Sequence, residues 1–446
     1  MTFLKRFLIS IFFIFATNLC LLMDMTDIPW YLTTVIVLVS VVGFIMINIS
    51  PSFKKCSTTR LRILSGGYEL LLLFIITFTA DIAISITAGI LFVPDKLGVI
   101  GFSIHIVFVL FMNLILVLNG TFRALTTSIQ LGIKWRLFII LLWWLPIFNI
   151  YLIVKVCRLI RNECEIEEEK FWLDNTRVEN EVCKTKYPLL LVHGVFFRDS
   201  RFFNYWGRIP KELIRNGATV FYGEQQSAAC VEDSGKELAE KIKKIVVDTG
   251  CEKVNIIAHS KGGLDSRYAI SCLGMDEYVA SLTTINTPHR GCAFAEYLLG
   301  KAPEKFRNFI ANRYNSTLKK FGDDNPDFLG AVKSLTVKGC KELNEIAEDK
   351  EDVFYQSVCS KMLKRTSGKF PLNISYGLVK KFDGDNDGLV SIESAKWGSE
   401  CKVLDVKGKR GLSHGDIIDL NRENIKGFDI RELYVGIVKE LKNKNF

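Results

Sequence analysis

Acidic residues are almost missing from the first 158 positions of this chain. Asp24, Asp27, Glu69, Asp81 and Asp95 are the only ones there, and long apolar runs separate them. Five such runs can be read: 7–23, 30–49, 68–93, 97–119 and 137–156. A helix needs about 20 residues to cross about 30 Å of hydrocarbon, and only the first run is marginal by that measure. Lys5 and Arg6 give that run the start of a signal peptide. No small-x-small cleavage site follows cleanly and further runs come after, so it reads as an uncleaved first span. The expectation is a multi-pass, all-α membrane bundle over residues 1–160.

The same region holds seven of the chain's nine net positive charges. They cluster before the first run (Lys5, Arg6), between the second and third (Lys54, Lys55, Arg60, Arg62) and between the fourth and fifth (Arg123, Lys134, Arg136). With five spans, all three clusters fall on one side, the cytoplasmic one. The rest of the chain is then expected outside the cell membrane, although Lys155, Arg158 and Arg161 oppose that scheme. Charge of this kind belongs to membrane flanks and gives no reason to expect a nucleic-acid partner. Asp81 and His105 fall inside runs. They form either a small polar site or neutral hydrogen bonds between helices.

From 161 to 186 the chain turns polar, with Glu163, Glu165, Glu167, Glu168 and Glu169 close together, and reads as a charged linker. Beyond it, over 187–446, short apolar runs alternate with amphipathic stretches. Strands are expected at 188–192, 218–222, 253–257 and 280–285, and helices at 209–215 and 234–247. That alternation implies an α/β domain with a mostly parallel sheet covered by helices.

The third strand runs directly into Ala258-His259-Ser260-Lys261-Gly262-Gly263. A serine on a sharp strand-to-helix turn, with small residues two before and two after it, is the context of a nucleophile elbow. Ser260 is therefore the candidate nucleophile. A serine needs a base, and the chain has five histidines: His105, His193, His259, His289 and His414. His105 lies in an apolar run, His193 follows the first strand, and His259 adjoins the serine. Where the order is serine, acid, histidine, His414 leaves more room for an acid than His289. The stretch 382–390 offers Asp383, Asp385 and Asp387 after a strand-like 372–379. It also mimics the start of a calcium loop, with Gly388 sixth, but Ser394 stands where such a loop wants Glu.

These residues resemble the bacterial triacylglycerol lipases, α/β-hydrolase enzymes, over about 250 residues of the chain. Leu191-Val192-His193-Gly194 is similar to their oxyanion-loop motif. Tyr205-Trp206-Gly207-Arg208-Ile209-Pro210, with Asn216-Gly217-Ala218, is similar to their first helix and next strand. Thr287-Pro288-His289-Arg290-Gly291 resembles the segment leading to their lid. Asn386-Asp387-Gly388-Leu389-Val390 is similar to the stretch that carries the acid, which selects Asp387.

The resemblance implies a serine ester hydrolase, a lipase or carboxylesterase acting on lipid acyl esters through an acyl-enzyme. Ser260, His414 and Asp387 would form its triad. The backbone N–H groups of Val195 and Lys261 would hold the oxyanion, with the Lys261 side chain a solvated charge. No cofactor is required for that chemistry. A structural calcium ion is implied near the histidine loop, where Asp416 matches one ligand position. Zinc is not expected, because no histidine lies between Gly194 and Ala258. A lid is expected between Phe294 and Phe321, where Phe306, Phe309, Ile310, Tyr314, Leu318 and Phe321 recur at helical spacing, unless they face the core. Nine of the twelve cysteines lie beyond Leu159 without metal-type pairing. The rival readings are a membrane transport protein with a silent hydrolase domain, and a phospholipase or acyltransferase.

Overall fold

The computed structural model of the chain describes residues 3–446 apart from 27, 92–97, 178–179, 196–203, 227 and 321–324. The chain divides into two compact units, Met1–Asn175 and Thr176–Phe446.

The first unit is helical: α1 (Phe3–Thr17), α2 (Leu19–Met25), α3 (Trp30–Ile49), α4 (Thr59–Leu91), α5 (Gly98–Thr127), α6 (Gly132–Leu142) and α7 (Pro146–Arg177). Three of these, α3, α4 and α5, are long and apolar enough to cross a membrane. The first expected span is a bent pair, α1 and α2, inclined by 59°. The fifth expected span, 137–156, is not one helix. A turn at 143–145 separates α6 from α7, and Pro146 lacks the N–H that a continuous helix would need there. Among the described residues the unit therefore offers three candidate spans, or four with the bent pair, rather than five. Helices α4 and α5 approach closely because small residues line their crossing. A Cβ on Gly67 would stand 3.1 Å from Gly120 O, and one on Gly120 would stand 2.9 Å from Leu71 Cγ.

The charged stretch read as a linker is helical through Arg177. Glutamate and lysine are strong helix formers, and Arg161–Glu165 (2.8 Å) and Lys170–Asp174 (2.7 Å) are spaced one turn apart. Glu163 in this stretch is buried. It accepts from Arg60 Nη1 and Ser128 Oγ, both at 2.6 Å.

The second unit is built on a parallel six-stranded sheet. In chain order its elements are β1 (Leu189–Val192), α8 (Ile209–Arg215), β2 (Val220–Tyr222), α9 (Val231–Thr249), β3 (Val254–His259), α10 (Lys261–Cys272), β4 (Val279–Ile285), α11 (Ala293–Lys301), α12 (Glu304–Lys320), α13 (Phe328–Ser334), α14 (Val337–Ile346), β5 (Phe354–Cys359), α15 (Leu372–Asp383), α16 (Ile392–Ala395), β6 (Glu400–Val403) and α17 (Ile430–Asn443). The strand order is β2-β1-β3-β4-β5-β6. Alternate residues of β1 enter two cores. Leu189 and Leu191 pack with Trp206, Ile209 and Tyr434 on one face, and Leu190 and Val192 pack with Leu238, Ile242 and Ile270 on the other. Each of the four strands expected from the sequence is present.

Strands β5 and β6 escape a reading by apolar runs. Gln356 and Ser357 interrupt β5, yet both are buried, and Gln356 Nε2 donates to Thr283 Oγ1 on β4 at 2.8 Å. All of β6 is exposed at the sheet edge, where charged residues deter further pairing. The strand-like stretch 372–379 is instead the start of helix α15. Tyr376 and Val379, three apart, are its buried residues, a helical spacing.

Candidate active site

Ser260 stands between β3 and α10 with φ 54° and ψ −128°. A non-glycine residue rarely occupies that region, and one held there by its surroundings marks a functional turn. Glycines make the turn possible. A Cβ on Gly262 would stand 2.4 Å from His193 O, and one on Gly263 would stand 2.2 Å from Thr287 Oγ1. The backbone after the serine can therefore lie tightly against β1 and the end of β4. The Lys261 N–H opens α10, where the helix leaves its first amides unpaired.

Of the three candidate acids, Asp387 is the one beside His414. His414 Nδ1 meets Asp387 Oδ2 at 2.6 Å, and His414 N donates to Asp387 O at 2.9 Å. The other carboxylate oxygen accepts from Leu389 N (2.9 Å) and Val390 N (2.8 Å). Asp387 is fully buried, so these donors hold its charge in place of water. Asp385 pairs with Lys361 at 2.7 Å, which holds its carboxyl below the usual range. Asp383 accepts from Ala293 N and Phe294 N, and burial pushes its carboxyl up. The three carboxylates thus serve three different partners and do not form a calcium loop.

His259 does not point away from this centre. Its ring centroid lies 4.4 Å from that of His414. The Tyr205 hydroxyl accepts from Gly194 N (3.1 Å) and stands 2.6 Å from His259 Nδ1, within hydrogen-bond reach of the ring. Burial holds the His259 pKa well below its usual value, with His414 adding to the effect. Burial thus favours the neutral form of the imidazole next to His414. His289 lies elsewhere: it stacks on Trp397 at 4.9 Å, and its Nε2 meets Thr284 Oγ1 at 3.1 Å. His193 fixes the turn that carries Val195, its ring nitrogens meeting Gly194 O (2.8 Å) and Gln225 O (3.0 Å). Ser260 and His414 are both buried, and no hydrogen bond joins Ser260 Oγ to His414 Nε2 among the described residues.

The Lys261 side chain is not solvated. It is 1% exposed, and its Nζ donates to Asp265 Oδ1 at 2.6 Å and to Ser234 Oγ at 3.0 Å. Burial outweighs the lysine and pushes the Asp265 carboxyl up to about 6. Asp265 and Tyr205 are site residues that motif reading passes over. The spacing of Lys261 and Asp265 on one helix face was a usable signal for the first.

Asp416 does not fit a calcium ion. Arg410 Nη1 and Nη2 take its two oxygens at 2.9 and 3.0 Å, and Ser413 N (2.9 Å) and Oγ (2.7 Å) donate to Oδ2. The carboxylate is neutralised by a guanidinium six residues upstream, and donors rather than acceptors surround it. Helix α11 buries none of its residues, and Phe306, Phe309 and Tyr314 of α12 are exposed, whereas Leu318 is buried. Phe321 lies outside the described residues.

The chain is similar in sequence to known proteins. Triacylglycerol lipase 2 of Saccharomyces cerevisiae is 30% identical over 259 residues, 54% of this chain and 74% of the relative. The chain belongs to the triacylglycerol lipase family. A family described as "Putative serine esterase (DUF676)" matches residues 211–321, a segment that includes Ser260 and ends before Asp387 and His414. The triacylglycerol lipase of Pseudarthrobacter phenanthrenivorans is 33% identical over 165 residues, 34% of this chain and 51% of that protein. That of Burkholderia plantarii is 33% identical over 165 residues, 34% of this chain and 45% of the relative. The chain thus spans about half the length of these bacterial lipases. The mature lipase BlEst2 of Bacillus licheniformis is similar with a TM-score of 0.41 and 25% identity, over 53% of this chain and 88% of that one.

Proposed function

We propose that the protein is a membrane-anchored serine ester hydrolase that cleaves lipid acyl esters. The observation that carries this reading is the 2.6 Å contact of His414 Nδ1 with Asp387 Oδ2, taken with a serine held on a strained strand-to-helix turn. With the Nδ1 proton donated to Asp387, the His414 lone pair is on Nε2, the atom a general base uses. Ser260 Oγ attacks the ester carbonyl and passes its proton to Nε2. The Val195 and Lys261 N–H groups receive the negative charge on the carbonyl oxygen. His414 then protonates the leaving alcohol, and a water molecule repeats the sequence to release the acid. Each oxyanion donor of this kind contributes about 10²–10³ in rate. The neutral His259 under His414 adds no second positive charge when the base becomes an imidazolium.

No calcium ion is needed for this loop in our reading, because Arg410 supplies the positive charge at Asp416. Helices α11 and α12 act as the lid that meets lipid. With four candidate spans in place of five, the basic clusters at Lys5, Lys54 and Arg123 and the catalytic unit fall on one side, so the catalytic unit lies on the cytoplasmic face and not outside, where five spans would put it. The test is an activity screen across short and long acyl esters with Ser260→Ala as control. Hydrolysis should vanish in the variant, and equal turnover in both proteins would sink the proposal. Protease shaving of intact cells should leave the catalytic unit intact, and its removal would reverse the orientation.

A further inference from the structure

The helical unit contains a buried polar cluster that ester hydrolysis does not use. Asp81, in the middle of α4, is fully buried. Its Oδ1 is met by Thr17 Oγ1 at 2.9 Å and Asn18 Nδ2 at 2.7 Å, and its Oδ2 by Asn113 Nδ2 at 2.7 Å. Thr77 Oγ1 lies 3.1 Å from Asn113 Oδ1, and Ser85 Oγ lies 3.3 Å from His105 Nε2. Thr77, Asp81 and Ser85 recur every fourth residue, so one face of α4 is polar where it meets α5.

Asn18 and Asn113 each turn an N–H to the carboxylate, one to each oxygen, while Thr17 Oγ1 also lies 3.1 Å from Phe13 O and 3.0 Å from Ile14 O. Amide donors on both oxygens suit an ionised Asp. Yet no lysine, arginine or histidine forms an ion pair with Asp81 among the described residues. A lone carboxylate in an apolar interior is costly, and such groups neutralise themselves or find a partner. His105 does not serve, since its Nδ1 is buried without a partner and a second ring proton would be orphaned there. The cluster also holds an unused acceptor. Asn18 Oδ1 has no donor, in a residue only 4% exposed. Asn18 separates α1 from α2, where the helix bends by 59°. Interrupted helices at membrane depth are a recurring place for ion ligands.

We propose that Asp81, Asn18 and Asn113 bind a sodium ion. The donor set is one carboxylate with the amide oxygens of Asn18 and Asn113 and the hydroxyl of Thr17. Hard oxygen ligands with a single negative charge match a monovalent cation, whereas divalent sites gather several carboxylates. A half-turn of an Asn amide exchanges its oxygen and nitrogen. For Asn18 that turn brings the unused Oδ1 to the ion.

The experiment uses the full-length protein in detergent at constant ionic strength, with sodium chloride replaced stepwise by choline chloride. Sodium should raise the Tm, by about 3 °C at ten times the Kd and further with the logarithm of its concentration above that. Equilibrium dialysis with radioactive sodium should find one ion per chain. Asp81→Asn should abolish both effects, and Asn18→Ala should weaken binding at least tenfold. The same Tm in sodium and choline, or the same sodium response in Asp81→Asn, overturns the proposal. So does a Tm that follows pH and ignores sodium, because a proton would then neutralise Asp81. If Asp81→Asn does not fold, the wild-type dialysis decides, and no bound sodium ends the idea. Ser260→Ala should bind sodium as the wild type does, so this result is independent of the hydrolase reading.

Discussion

The Lys261–Asp265 pair allows a sharp test, because its two halves should not cost the same to remove. Both side chains are 2% exposed and their charged atoms are 2.6 Å apart. Removing one partner of a buried pair costs about 3–5 kcal/mol, since the other charge is left uncompensated. Asp265→Ala should reach that range, because the ammonium keeps only Ser234 as an acceptor. Lys261→Met should cost less. The Asp265 carboxyl already stands at about 6, so near neutral pH it can take up a proton for about 1–2 kcal/mol. Replacing both, as Lys261→Met with Asp265→Leu, should fall within about 1 kcal/mol of the wild type. On the proposed mechanism Lys261 serves the oxyanion through its backbone, so the double variant should keep most of its activity while Asp265→Ala loses it. The assay is urea unfolding followed by intrinsic fluorescence for the four proteins at pH 7.5, with hydrolysis of a short soluble ester measured alongside. If the two single variants cost the same, or the double costs their sum, the pair is not the unit described here.

Further outcomes follow from the same site. Asp387→Asn should lower kcat by about 10⁴, whereas Asp383→Asn and Asp385→Asn should stay near the wild type; equal loss at Asp385 would refute the choice of acid. Because the Asp265 carboxyl titrates above its ordinary 3.8 in the fold, its contribution to stability is present below pH 4 and is lost as pH rises through about 6. Relative to Asp265→Asn, the wild type should therefore lose about 3 kcal/mol between pH 4 and pH 7, and a difference that is flat with pH would contradict this. Excess EDTA should leave hydrolysis unchanged, while Arg410→Met should lower kcat/KM at least tenfold and Arg410→Lys should recover part of it. Loss of activity in EDTA that calcium restores would show that Asp416 holds a metal after all.

The sequence singled out Ser260 by its motif, His414 by elimination among five histidines in the expected chain order, and Asp387 by the resemblance of its stretch to the lipases. What the sequence hid was burial and partnership. Lys261 looks like any lysine at a helix start until its neighbour four residues on is seen to be buried with it. Asp416 could be aligned with a metal ligand, but its real partner, Arg410, follows from loop geometry rather than from spacing. Strand β5 was missed because its polar residues are satisfied across the sheet, and a polarity pattern cannot distinguish that from exposure. The apolar runs were found by composition, but composition counts residues without asking where a helix breaks. Asn18 and Pro146 decide that, and each turned an expected single span into two pieces.

The Tyr205 hydroxyl joins two parts of the proposed catalytic centre. It accepts from the loop amide of Gly194 and hydrogen-bonds the His259 imidazole next to His414. A designer who varies the loop and the floor as separate positions would be turning one screw with two drivers. Substitutions in the two regions should be strongly non-additive, and Tyr205→Phe should detach them so that they can be tuned apart.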